Sequence, residues 1–175
     1  MNALDRPESG LLTLEAAVAW RAGLRAAGKR LVVTNGCFDI MHRGHAAYLR
    51  DAREQGDALL VLINSDASVR RLKGETRPVV AQVDRAFMLC ALAAVDRVVV
   101  FDGERCDREL AALAPDVYVK GGDYTLDKLN PDERAALEAA GTRIVFKPFV
   151  PGFSTSALIR RILETGRQKP TTLCE

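Results

Sequence analysis

From residue 30 onward the sequence alternates between two textures, and this alternation limits the available folds more than any other feature. Short apolar runs rich in Val, Ile and Leu lie at Arg30–Asn35 (RLVVTN), Ala58–Asn64 (ALLVLIN), Asp96–Phe101 (DRVVVF), Asp116–Val119 (DVYV) and Arg143–Phe146 (RIVF). None alternates apolar with polar residues, so each predicts a strand covered on both faces, as in a parallel sheet. Helix-length segments separate them, at Gly44–Gln55, Val83–Val95, Arg105–Ala114 and Asn130–Ala140. The last opens with Asn130–Pro131, a capping residue followed by proline at the first helical position, and stops before Gly141. Repeated strand–helix alternation of this kind predicts a doubly wound α/β fold with a five-stranded parallel sheet. Two more amphipathic helices flank it: residues 13–27, capped by Thr13 and ending at Gly28, and residues 154–164, capped by Ser154.

Composition narrows the class. The 175 residues are 48% hydrophobic and 27% charged, with a formal net charge of +2. That length suits one domain, here expected over residues 13–165, with loosely ordered ends at 1–12 and 166–175. Near-neutrality argues against a nucleic-acid binder, and no apolar run reaches the ~20 residues of a membrane span. The first residues, MNALDRPESG, lack the basic and apolar regions of a signal peptide, which predicts a cytoplasmic protein. Cysteines 37, 90, 106 and 174 form no CxxC pair and are read as free thiols.

The most informative stretch follows the first strand: Thr34-Asn35-Gly36-Cys37-Phe38-Asp39-Ile40-Met41-His42-Arg43-Gly44-His45. The chain's two histidines both lie here, three residues apart, on one face of a predicted first helical turn. That turn sits at the carboxyl edge of a parallel strand, where anions meet free helix N–H groups. Glycines 36 and 44 allow a ligand close to the backbone. The loop therefore predicts phosphate binding through the helix start and the two imidazoles. The competing reading is a zinc site on His42, His45 and Cys37, for which the sequence offers no further ligand pair. Neither GxGxxG nor the P-loop GxxxxGK[ST] occurs at this position. Asp39 is left open between metal, ribose and loop fixation.

The string GCFDIMHRGH resembles the signature of the HxGH nucleotidyltransferase superfamily, and Phe153-Ser154-Thr155-Ser156-Ala157-Leu158-Ile159-Arg160 is similar to its second motif, ISSTxxR. Phe153 replaces the usual Ile. Over nearly the whole chain, Asn64-Ser65-Asp66-Ala67-Ser68, Arg71-Leu72-Lys73-Gly74, Arg77-Pro78-Val79, Asp84-Arg85 and Val119-Lys120-Gly121-Gly122-Asp123-Tyr124 resemble the ADP-heptose synthase family in its stand-alone adenylyltransferase form.

This resemblance implies a Rossmann-like nucleotidyltransferase fold and transfer of the adenylyl group of ATP to D-glycero-β-D-manno-heptose 1-phosphate, releasing pyrophosphate. It implies Mg²⁺ with the ATP, no nucleic-acid or membrane partner, and a homodimer. His42, His45, Lys73 and Arg160 would be catalytic, with Asn35, Gly36, Phe38, Asp39, Gly44 and the hydroxyls of Ser154, Thr155 and Ser156 on the nucleotide. Arg77, Arg85, Lys120, Gly121, Gly122 and Asp123 would bind the substrate. Five basic residues between 70 and 85 (Arg70, Arg71, Lys73, Arg77, Arg85) face two acids there, a local excess suited to an anion. A different sugar or polyol phosphate, such as glycerol 3-phosphate with CTP, is the enzymatic alternative. A nucleotide-binding module without activity is the other.

Overall fold

The computed structural model describes residues 7–122, 124–148 and 152–167. After a 3₁₀ turn at Pro7–Gly10, the chain runs β1 (Leu11–Leu12), α1 (Leu14–Ala26), β2 (Leu31–Gly36), α2 (Arg43–Arg53) and β3 (Ala58–Asn64). There follow α3 (Asp66–Lys73), α4 (Gln82–Cys90), β4 (Arg97–Phe101), α5 (Asp107–Leu113) and β5 (Val117–Gly121). A 3₁₀ turn (Leu126–Lys128), α6 (Pro131–Ala139), β6 (Arg143–Lys147) and α7 (Thr155–Arg167) complete it.

The strands form one parallel sheet in the order β1-β4-β3-β2-β5-β6. β3 shows why continuous apolar runs become central strands: all seven of its residues are buried. Leu60 and Leu62 pack with Ala17 of α1, Leu110 of α5 and Leu137 of α6. Leu59, Val61 and Ile63 pack on the other face with Leu49 of α2 and Leu89 of α4. Each such side chain contributes about 1.5–3 kcal/mol by leaving water, so a polar substitution on either face would be felt. Both faces are covered, as the sequence predicts.

The chain builds outward from β2 through β3 to β4, then returns by α5 to place β5 on the other side of β2. The connections therefore diverge between β2 and β5. In an open α/β sheet that divergence leaves a crevice outside the carboxyl ends of the two strands.

Three expectations change. The sheet has six strands, because Leu11–Leu12, assigned from sequence to the loose first twelve residues, pairs with Val98 and Val99 of β4. Two residues are too few to show a period. The eight-residue helix α3 lies where the sequence reading placed no helix; it is capped by Ser65, whose Oγ accepts from the Ser68 amide at 3.1 Å. Only Ser68 and Val69 of it are buried, so it has almost no apolar stripe. The helix expected to Val95 ends at Cys90. Trp20 packs against the core with the Arg97 guanidinium 5.2 Å from its ring centre, a packing role. Among the described residues no helix is long and apolar enough to cross a membrane.

Candidate active site

The loop between β2 and α2 is fixed from below. Phe38 takes a left-handed conformation, φ 47°, with its ring beneath Gly36, where a Cβ would lie 2.9 Å from the ring edge. Asp39 is 3% exposed. One of its oxygens accepts from the amides of Val79 and Val80 (2.8 and 2.9 Å), the other from Arg77 Nε (2.6 Å). Both oxygens are thus engaged by the protein, the arrangement that loop fixation calls for among the three roles left open for Asp39.

Arg85 forms a second strut. It is fully buried and donates to the carbonyls of Val80 (3.0 Å), Cys37 (2.5 Å) and Asn64 (2.8 Å) and to the Asp66 carboxylate (2.8 Å). No face of the guanidinium remains for a substrate, which corrects its expected place in substrate binding.

Above this floor His42 caps α2 and His45 lies one turn inside it. Their rings stack at 3.9 Å with an interplanar angle of 14°, and Phe38 lies 5.3 Å from His45. Burial, with the nearby His42 and Lys73 charges adding to it, lowers the His45 pKa from 6.5 to about 4. His45 is thus neutral at physiological pH, an imidazole able to donate a hydrogen bond without carrying charge. Both Nδ1 atoms are buried with no partner among the described residues. Such orphaned polar atoms at a cleft mark groups that a ligand completes.

Gly44 brings a second helix onto this one. A Cβ there would meet Phe153 Cβ at 2.9 Å and the His42 ring at 3.1 Å, so only glycine lets α2 and the start of α7 approach this closely. Ser154 caps α7 as expected, its Oγ accepting from the Ala157 amide at 3.3 Å. His42, Gly44, Arg77, Ser154 and Ser156 border a cleft of about 670 Å³ between the two helix starts. A larger cleft of about 760 Å³ opens over β2 and β5. His45, Tyr48, Lys73 and Thr155 line both, so they stand where the two meet.

Lys120 and Gly121 close β5 and line the larger cleft with Asn35 and Gly36. The Lys120 ammonium donates to Asn35 Oδ1 (2.8 Å) and the Tyr118 hydroxyl (3.2 Å), and Glu133 Oε2 lies 3.6 Å away. Gly122, at φ 112°, donates its amide to Lys147 O and does not line the cleft. Asp123 lies outside the described residues. Arg160 is exposed on α7 and borders neither cleft, so the structure does not bring it to the histidines. Zinc is not favoured at Cys37: among the described residues no three His, Cys, Asp or Glu groups gather for a metal, and the Cys37 thiol instead lies 3.6 Å from Asn64 Oδ1.

Sequence reasoning missed Tyr48 and Glu133. Tyr48 is three residues beyond His45, so helical spacing could have found it. Its hydroxyl bonds Thr34 Oγ1 (2.7 Å) and Val119 O (3.0 Å), locking α2 to β2 and β5, and burial pushes its pKa up. Glu133 reads from sequence as an ordinary first-turn acid of α6 and carries no local signal.

The cytidylyltransferase-like family pattern matches residues 33–161. The bifunctional protein HldE of Geobacter sulfurreducens is 50% identical over 143 residues, 82% of this chain and 29% of that protein. HldE of Helicobacter pylori strain Shi470 is 50% identical over 137 residues, 78% and 28% of the two chains. The chain thus spans under a third of the length of these relatives. The crystal structure of the lipopolysaccharide core biosynthesis protein from Thermoplasma volcanium superposes with a TM-score of 0.57 at 26% identity, covering 70% of this chain and 98% of that one.

Proposed function

The chain belongs to the cytidylyltransferase-like family, and from that premise we propose that it transfers the adenylyl group of ATP to D-glycero-β-D-manno-heptose 1-phosphate. The observation that carries this reading is the junction of the two clefts, where His45, stacked on His42 and with its Nδ1 unpartnered among the described residues, meets Lys73 and Thr155. One cleft offers Lys73 and two helix starts to a triphosphate; the other offers an amide, an ammonium and a carboxylate to a sugar. The half-identical HldE proteins and the lipopolysaccharide core biosynthesis neighbour support the choice of a heptose acceptor.

In this mechanism no protein nucleophile is needed. A phosphate oxygen of the sugar attacks the α-phosphorus of ATP in line, the bond from that phosphorus to the bridging oxygen breaks, and pyrophosphate leaves with the bond's electrons. His45, held neutral, and His42 donate hydrogen bonds as negative charge builds on the phosphoryl oxygens. Lys73 draws charge toward the departing pyrophosphate, while Ser154, Thr155 and Ser156 hold its oxygens at the start of α7. Arg77 holds Asp39 and, through it, the loop. Magnesium enters as part of the Mg·ATP substrate; Asp39, the carboxylate beside the histidines, is already engaged by Arg77 and two amides and does not fit a resident metal. A homodimer, a cytoplasmic location and the absence of a nucleic-acid partner belong to the same proposal.

Pyrophosphate release, measured with ATP or CTP against a panel of sugar and polyol phosphates, tests it. Turnover with ATP and the heptose is expected. Turnover with CTP and glycerol 3-phosphate alone would give the chain a different acceptor and nucleotide.

A further inference from the structure

The end of the larger cleft between β5 and α6 holds a polar network that takes no part in the bond-making and bond-breaking above. Glu133, in the first turn of α6, borders this cleft and is only 4% exposed. Its Oε1 accepts from the Cys106 amide (3.3 Å) and thiol (3.4 Å). Its Oε2 faces the Lys120 ammonium at 3.6 Å. Lys120 has three N–H donors: one goes to Asn35 Oδ1, one to the Tyr118 hydroxyl, and the remaining side faces Glu133. The two side chains are 14% and 6% exposed, so water screens their attraction weakly. The lysine expected to bind the substrate therefore already has acceptors for two of its donors and a carboxylate neutralising its charge. Asp127 and Lys128 beside it add one charge of each sign. The cleft at the histidines contrasts with this: Lys73 borders it with no ion-pair partner there, Arg77 is held by Asp39 from outside it, and among the described residues no carboxylate lines it.

We propose that Glu133 orients the acceptor: by neutralising Lys120 it makes the β5–α6 end a reader of hydroxyl groups and leaves the acceptor's phosphate to the histidine end. Glu133 acts through Lys120 and is a positioning residue. The substrate class it selects is a phosphate ester whose other end is a neutral polyol. This rests on the reading of the cleft as a sugar-phosphate site.

The test is calorimetric titration with inorganic phosphate, which requires no turnover. Glu133→Gln frees the Lys120 charge, and phosphate affinity should rise about tenfold, the worth of one charge-assisted contact. The rise should vanish in the Glu133→Gln/Lys120→Met double variant. A folded Glu133→Gln protein with wild-type phosphate affinity, or a gain that survives loss of Lys120, overturns the proposal. If thermal melting shows that Glu133→Gln does not fold, Lys120→Met is titrated instead. Its phosphate affinity should match wild type, and a loss of about tenfold would mean that Lys120 is a phosphate ligand after all. Absence of ADP-heptose formation by the wild-type chain would defeat the proposed reaction and leave these titrations to decide the role of Glu133.

Discussion

The two ends of the active-site crevice hold their polar groups by opposite means. At the β5–α6 end, Lys120, Asn35, Tyr118 and Glu133 satisfy one another through hydrogen bonds and an ion pair. At the histidine end, His42 and His45 are held by stacking, by Phe38 and Phe153, and by the close approach that Gly44 permits, while both Nδ1 atoms lack partners among the described residues. Groups that must meet charge appearing only during a reaction keep hydrogen-bonding capacity free, so packing has to position them. Groups that read a fixed part of a substrate can be tied into a network beforehand.

The largest effect should come from the floor beneath the histidine end. Arg85→Met removes four donated hydrogen bonds and leaves Asp66 without its partner. Denaturant titration should show a loss of about 3–5 kcal/mol. Wild-type stability would show that the histidine loop does not depend on this strut.

His45→Ala should lower kcat by about 10²–10³, the range for one donor aimed at developing charge, with the fold intact by circular dichroism. Unchanged turnover would remove the functional half of the contrast between the two ends.

Gly44→Ala tests whether packing positions the histidines. The new methyl must displace Phe153 or the His42 ring, at about 1–3 kcal/mol. We expect the KM for ATP to rise more than the KM for the acceptor, because the displaced parts border the smaller cleft. An equal rise in both would mean that the two ends are not separable.

The pH response is smaller and its direction is fixed. Unfolded His45 takes a proton near 6.5, whereas folded His45 does so only near 4. Between those values the unfolded chain binds more protons, so stability falls as pH drops from 6.5 toward 4. In His45→Ala that part of the decline should be missing from denaturant titrations at pH 7 and 5. Because kcat/KM reports the free enzyme, its profile should show no His45 inflection near 6.5.

The smallest effect serves as a control. Gly23 lies in α1 with nothing within 4 Å of its would-be Cβ, so Gly23→Ala should stabilise the helix by about 0.5–1 kcal/mol and leave kinetics unchanged.

How much of this was legible in advance varied with the range of the interaction. The five longer strands, the caps at Thr13, Asn130 and Ser154, and the histidine loop were all readable, because each depends on neighbours within a few residues. The edge strand Leu11–Leu12 was too short to show a period, and α3 lacked an apolar stripe. The basic cluster at 70–85 looked like one anion site from its charges alone. In the folded chain it divides: Lys73 lines both clefts, Arg77 is tied to Asp39, Arg71 donates to Asp102 O and pairs with Glu104, and Arg85 is buried as a strut.

By itself, then, the sequence determined the layered α/β architecture and put the histidines at the carboxyl edge of β2, since hydrophobic texture and helix caps act locally. Only the tertiary structure decided which charges face a ligand. Asp39 meets Arg77 38 residues away, and Asn35 meets Lys120 85 residues away, across the point where the sheet's connections diverge. A lysine and a glutamate on separate elements carry no mutual signal until β5 and α6 pack together. What they offer a substrate is then set by the partner each has found.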